Sequence, residues 1–227
     1  MDSTLKNFLD QYFNFEIAGK KVTLPYWMNK LGKEIYGPHG GKGTPEEIRS
    51  DTLEAAEKEN KDLEKMPLEE IYSFMKQNRI GLDCSGFAYQ ILNFLDLEKG
   101  GDGISNSVAG VNGMGITKTN ADALTNGINS VQVENLKEVR PGDLIRMDGG
   151  RHVMVIVDTN SKEIIYAHIS ASTKKEGPHL AKINIINPDG GIEKQNWEEL
   201  SKDNRNYRDF ALRLNLGDGI RRLKIFL

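Results

Sequence analysis

His152-Val153-Met154-Val155-Ile156-Val157-Asp158, followed by Thr159-Asn160-Ser161 and then Lys162-Glu163-Ile164-Ile165-Tyr166-Ala167-His168, is the stretch that decides the fold of this 227-residue chain. Two runs rich in β-branched residues, separated by a short polar loop, read as an antiparallel hairpin. Outward from it, Pro141-Gly142-Asp143 leads into Leu144-Ile145-Arg146-Met147, while residues 181–186, 210–214 and 220–226 are further short apolar runs. The second half therefore reads as an antiparallel sheet.

The first half has a different period. A short helix precedes a small hairpin, Phe13 to Ile17 and Lys21 to Leu24, joined through Ala18-Gly19-Lys20. Thr44-Pro45-Glu46-Glu47 is a helix start, with Thr as N-cap, Pro at the first helical position and Glu at the capping-box position, and it opens a charged surface helix over about 45–65. Pro67 starts another helix, in which Leu68, Ile71, Tyr72 and Met75 form an apolar stripe. A third helix is predicted from about Cys84 to Lys99, with Phe87, Ile91, Phe94 and Leu95 on one face, and residues 100–130 read as a long Gly- and Asn-rich loop. Helices first and strands after, without βαβ alternation, predict an α+β fold in a single domain, 1–227.

Composition narrows the function. Thirty basic against 33 acidic residues give a net charge of −3, so no global field draws the chain to nucleic acid or to an anionic membrane. No apolar run approaches the length of a spanning helix, and Met1-Asp2-Ser3-Thr4-Leu5-Lys6 does not begin a signal peptide. A cytoplasmic location is expected, or export by a route that needs no such signal.

The single cysteine, Cys84, belongs to no disulfide framework. Gly81-Leu82-Asp83-Cys84-Ser85-Gly86-Phe87 puts it at a helix start, where free N–H groups favour a thiolate and a reactive thiol is expected. A base must stand nearby. With the three-residue loop 159–161, His152 falls directly opposite His168 on one face of the hairpin, the spacing of a base and its orienting partner. Cys84, His152 and His168 could alternatively form a three-ligand zinc site. The turn Gly37-Pro38-His39-Gly40-Gly41-Lys42-Gly43 lacks the spacing of a phosphate loop, and His39 and His179 read as loop histidines.

These residues resemble the NlpC-type cell-wall cysteine peptidases of the papain-like superfamily. Asp83-Cys84-Ser85-Gly86-Phe87 is similar to the family's nucleophile motif, and Arg140-Pro141-Gly142-Asp143-Leu144 to its R-P-G-D-L turn. His152-Val153 and Ala167-His168 are similar to the strands bearing its base and third polar residue, and Ile220-Arg221-Arg222-Leu223 to its closing strand. The resemblance covers about 80–227. It implies a nucleophile-bearing helix packed on an antiparallel sheet, with Cys84 as nucleophile, His152 as base and His168 as its orienter. It also implies hydrolysis of amide bonds in peptidoglycan stem peptides, often between D-glutamate and a diamino acid, with no metal and no cofactor. The Cys84 N–H would contribute to the oxyanion hole, and Asp83, Ser85 and Tyr26 would bind the free amino end of the stem peptide. Tyr26 lies in Pro25-Tyr26-Trp27-Met28-Asn29, more than 50 residues before Cys84 where the family has an aromatic and W-G-G close by, so an insertion over about 30–78 is expected. A thioester-forming acyltransferase or amidase on another substrate, and a zinc-holding or degenerate binding module, are the alternatives.

Overall fold

A computed structural model describes residues 1–29 and 31–227. In chain order the elements are α1 (Ser3–Phe13), β1 (Glu16–Ile17), β2 (Lys20–Lys21), α2 (Pro45–Lys58), α3 (Leu68–Gln77) and α4 (Cys84–Glu98), then β3 (Ala109–Gly110), β4 (Gly113–Met114) and α5 (Ala121–Thr125). They continue with β5 (Ser130–Gln132), β6 (Leu144–Met147), β7 (His152–Thr159), β8 (Glu163–His168), β9 (His179–Asn184), β10 (Asn196–Trp197), α6 (Tyr207–Ala211) and β11 (Gly219–Leu223). The architecture is α+β, built on a seven-stranded sheet of order β10-β9-β8-β7-β6-β11-β5 whose neighbours are all antiparallel.

Strand alternation gives the sheet two apolar faces. Val153, Val155 and Val157 of β7 join Phe87 and Ile91 of α4 in one core, which also takes Leu9 of α1, Ile48 of α2 and Ile71 of α3. Met154 and Ile156 face the other way, onto Ile164, Tyr166, Trp197, Tyr207 and Ile220. Burial on both faces explains why β7 reads as a continuous apolar run rather than an alternating one.

The segment 30–78 leaves and returns at one point. Leu82 donates from its N–H to Pro25 O at 3.0 Å and accepts from Trp27 N–H at 3.1 Å, forming a parallel bridge to Tyr26. On its other side Leu82 bridges antiparallel to Lys42, and Asp83 N–H donates to Gly41 O at 2.6 Å. The Gly-rich turn is thus a strap laid across the first turn of α4.

Several details differ from the sequence reading. The capping box of Thr44 and Glu47 forms, but α2 ends at Lys58 rather than near 65, because the chain turns through Asn60 at φ 52°. The buried stripe of α3 is Ile71, Phe74 and Met75. Leu68, in the first turn, is exposed, and Tyr72 is half-buried. Residues 100–130 are not one loop: they hold the β3–β4 hairpin and α5, with Ile104, Val108 and Leu124 buried. Residues 210–214 are not a strand: Phe210 and Ala211 end α6, which Asn206 caps by accepting from Arg208 N–H, and Leu214 begins a 3-10 turn. The R-P-G-D turn and the closing strand meet through one ion pair, the Arg222 guanidinium donating to both Asp143 carboxylate oxygens at 2.7 and 2.8 Å. A bidentate pair of this kind fixes two chain segments in register.

Close approach of the strap depends on Gly86. A Cβ there would lie 2.5 Å from Gly41 O and 2.7 Å from Lys42 Cα, both backbone atoms that cannot move independently. Gly86→Ala is expected to cost about 1–3 kcal/mol, as overpacked sites do, read as a lower urea midpoint with an unchanged slope.

Candidate active site

Cys84 is the first residue of α4, with Asp83 as N-cap, its side chain accepting from Gly86 N–H at 2.6 Å. The thiol is buried and lies 3.9 Å from Arg151 O. The Val153 N–H also reaches it. The sulphur is therefore held against the backbone on both sides of His152.

The two histidines come together, but in another register from the one predicted. In the β7–β8 ladder Val155 pairs with Ala167 and Ile156 with Tyr166, whereas beyond Val157 the pairing shifts to Asp158 with Ile165. His168 thus stands opposite Met154 rather than His152, and the imidazoles are diagonal neighbours on one face. The bulge at Val157 decides that face. Had Val157 entered the ladder, His168 would stand opposite Val155 and the rings would lie on opposite sides of the sheet. As built, His152 Nε2 and His168 Nδ1 are 2.9 Å apart.

Beyond them lies a group that sequence reasoning missed. Glu199 Oε1 is 2.9 Å from His168 Nε2 and 2.7 Å from His179 Nε2, and Glu199 Oε2 accepts from the Tyr166 hydroxyl at 2.6 Å. His179 is a strand residue directly opposite His168, not the turn histidine expected. Had β9 been started at 179 instead of 181, that pairing could have been read from the sequence. Glu199 carries no such signal, because nothing local distinguishes it from Glu198.

Hydrogen-bond partners locate the protons. Gly177 O can only accept, so His179 Nδ1, 2.8 Å away, donates to it, and the contact with Glu199 holds a second proton between the two residues. Tyr166 and the histidines hold the Glu199 carboxyl well below its ordinary range, against a burial effect that acts the other way. The ionised carboxylate takes a proton donor from His168 Nε2. His168 Nδ1 is then an acceptor, His152 Nε2 donates to it, and His152 Nδ1 carries a lone pair with no hydrogen-bond partner among the described residues. That is the tautomer of a general base.

Burial pushes the His152 imidazole down to about 3, with His168 adding to the effect and Glu199 opposing it. His168 is lowered for the same reason, more weakly because Glu199 is in contact. Cys84 differs from the reactive thiolate expected of a helix N-terminus. Burial and then the Asp83 charge push it up to about 12, only partly offset by the Val153 N–H, Lys42 and the Ser85 N–H. At rest the thiol and the imidazole are both neutral.

The remaining predicted site residues divide. Tyr26 is brought to the site by its bridge to Leu82, and burial, then Cys84 and Asp83, raise its hydroxyl above the ordinary value. Asp83 and Ser85 flank Cys84 as predicted, but both are engaged by Lys42. Cys84 lines a cavity of about 360 Å³, and His152 with Tyr26 and Tyr207 lines a neighbouring one of the same size, with Arg151 bordering both. A cavity of about 590 Å³ lies behind these residues against His179 and Glu199, and neither Cys84 nor His152 lines it. The predicted zinc set of Cys84, His152 and His168 is not the one whose ligand atoms converge. His168, His179 and Glu199 have theirs within 4.8 Å of one another, and hydrogen bonds among them use those atoms.

Compared with known proteins, the chain matches no family model, no curated protein and no solved structure. Among the described residues no helix is long and apolar enough to cross a membrane.

Two measurements follow from the protonation states. An unfolded histidine binds a proton near pH 6.5, whereas folded His152 and His168 resist it, so stability is fully present above that pH and is lost as pH falls toward 3. Unfolding free energies from urea titrations at pH 7, 6 and 5 should fall, by up to about 1.4 kcal/mol per pH unit for each proton excluded, and His152→Asn should flatten the slope. Iodoacetamide should label Cys84 slowly at pH 6, its rate climbing about tenfold per unit through pH 10 as the thiolate fraction grows.

Proposed function

We propose that this chain is a cysteine peptidase of the NlpC type, hydrolysing amide bonds in peptidoglycan stem peptides. The observation that carries the reading is the anchored base: His152 Nε2 is tied through His168 to Glu199, while its Nδ1 stays open beside the backbone that holds the Cys84 sulphur. A papain-like arrangement, with a nucleophile-bearing helix packed on an antiparallel sheet that supplies base and orienter, is part of the same proposal. Its support is the packing of α4 against β7 and the order of the motifs along the chain.

The chemistry starts from a neutral pair. Cys84 Sγ attacks the peptide carbonyl carbon as its proton passes to His152 Nδ1, forming a tetrahedral oxyanion for which the Cys84 N–H is a candidate donor. Collapse breaks the C–N bond, and His152 returns the proton to the departing amine. Water, deprotonated by the same nitrogen, then cleaves the thioester and restores the thiol. His168 holds the imidazole in the required tautomer throughout, and Glu199 fixes His168 in turn. Burial keeps the imidazolium of the intermediate short-lived, so proton transfer and bond formation are coupled.

Incubation with muropeptides, read by mass spectrometry for newly freed amines, tests this. Wild-type protein should release them, Cys84→Ala should not, and His152→Ala should lose at least about a thousandfold in rate, as loss of a nucleophile's base does elsewhere. Glu199→Gln should lose about ten- to a hundredfold while remaining folded, the range seen when an outer partner of a functional histidine is removed. A Cys84→Ala protein as active as wild type would overturn the reading.

A further inference from the structure

The strap that covers the start of α4 carries a charge into the site. Lys42 Nζ donates to Ser85 Oγ at 2.6 Å and to the two Asp83 carboxylate oxygens at 3.2 and 3.1 Å, and its side chain is only 11% exposed. Its backbone is fixed as firmly as its head group: Lys42 bridges Leu82, and Lys42 O accepts from Gln90 Nε2 at 3.0 Å. A carboxylate and a hydroxyl side by side at the edge of a catalytic cavity form a receptor for an ammonium group. Here that receptor is filled from within the chain.

The filling changes the charge of the cavity. Asp83 is the one acidic residue among its described lining residues, and Lys42 neutralises it. Lys118 and Arg151 remain on the same lining. Arg151 has only a long contact to Asp148, 3.8 Å, at an exposed position. The space beside the thiol is left with an excess of positive charge, although the protein as a whole is negative. A free amino group entering there would meet repulsion and find Asp83 and Ser85 already engaged, whereas a carboxylate would be attracted.

We propose that Lys42 occupies, as a tethered ammonium, the position in which Asp83 and Ser85 would hold a substrate amine, so that the Cys84 cavity selects an acidic peptide with no free amino group at that place. The assignment rests on the reading of Cys84 as the nucleophile, and it deepens that reading by naming the substrate class. Stem peptides whose amino end is still acylated fit it, and trimmed peptides with a free amino end do not.

Charged thiol reagents test the cavity without requiring turnover. The rates at which an anionic (sulfonatoethyl) and a permanently cationic (trimethylammonioethyl) methanethiosulfonate modify Cys84 are measured at pH 9 and low ionic strength, each divided by its rate with 2-mercaptoethanol. Wild-type protein should favour the anionic reagent at least tenfold, Lys42→Arg should keep that preference, and Lys42→Met, which unmasks Asp83 and leaves one net positive charge on the lining, should cut it at least threefold. A wild-type ratio within twofold of unity, a ratio unmoved in Lys42→Met, or a thiol that neither reagent reaches would overturn the proposal. The companion measurement compares an acidic stem peptide with a free and with an acetylated amino end. Wild type should cleave the acetylated form at least as fast, and Lys42→Met should shift the preference at least tenfold toward the free amine. If the reagent ratios hold but neither peptide is cleaved, the charge assignment stands and the peptidase reading falls. If cleavage occurs without discrimination, the reverse is true.

Discussion

The backbone of Leu82 is the constraint on which the site depends. It is fully buried, it pairs on one side with the segment 25–27 and on the other with Lys42, and it leads directly into Asp83 and the first turn of α4. Through it three distant pieces of chain, carrying Tyr26, Lys42 and Cys84, are held in one small ladder. A cysteine on a helix end would otherwise be subject to fraying, because the first turn of a helix has no hydrogen bonds behind it. Here Asp83 caps the turn, and the strap packs on Gly86 so closely that a methyl group would not fit.

The other half of the site is built by burial. His152, His168, His179, Tyr166 and Glu199 are all buried at one end of the sheet, where unpaired polar groups are costly, and the relay satisfies them among themselves. The same burial sets the protonation states. It lowers His152 and His168 and raises the Cys84 thiol, so the ion pair often associated with cysteine nucleophiles is disfavoured at rest. Glu199 is the exception, held ionised by the donors around it, and its charge fixes the direction in which the chain of hydrogen bonds runs.

Lys42 sets the charge on the Cys84 side of the site. The segment 31–78 adds α2 and α3 to the helical core, and the lysine at the end of its Gly-rich turn neutralises the N-cap carboxylate of α4. An Asp that caps a helix and an Asp that receives an amine make opposite demands on the cavity, and the lysine resolves them in favour of the cap.

Helices before strands, the start of α4 at Cys84, the capping box at Thr44 and the hairpin carrying His152 and His168 were legible in the sequence, because each rests on local pattern: period, caps and turn residues. The hairpin register was not, since a single bulged residue at Val157 shifts every later pair, and no local signal specifies whether a residue enters the ladder or leaves it. Nor were Glu199 and Lys42, which are ordinary charged residues in their own neighbourhoods and acquire roles only because sheet closure and the Leu82 ladder bring them to His168 and Asp83. Sequence by itself determined which residue types are present and which secondary structures carry them. Tertiary structure decided which thiol is buried, which nitrogen stays free and which charge fills the cavity, because desolvation and contact between segments far apart in the chain arise only once the chain has folded.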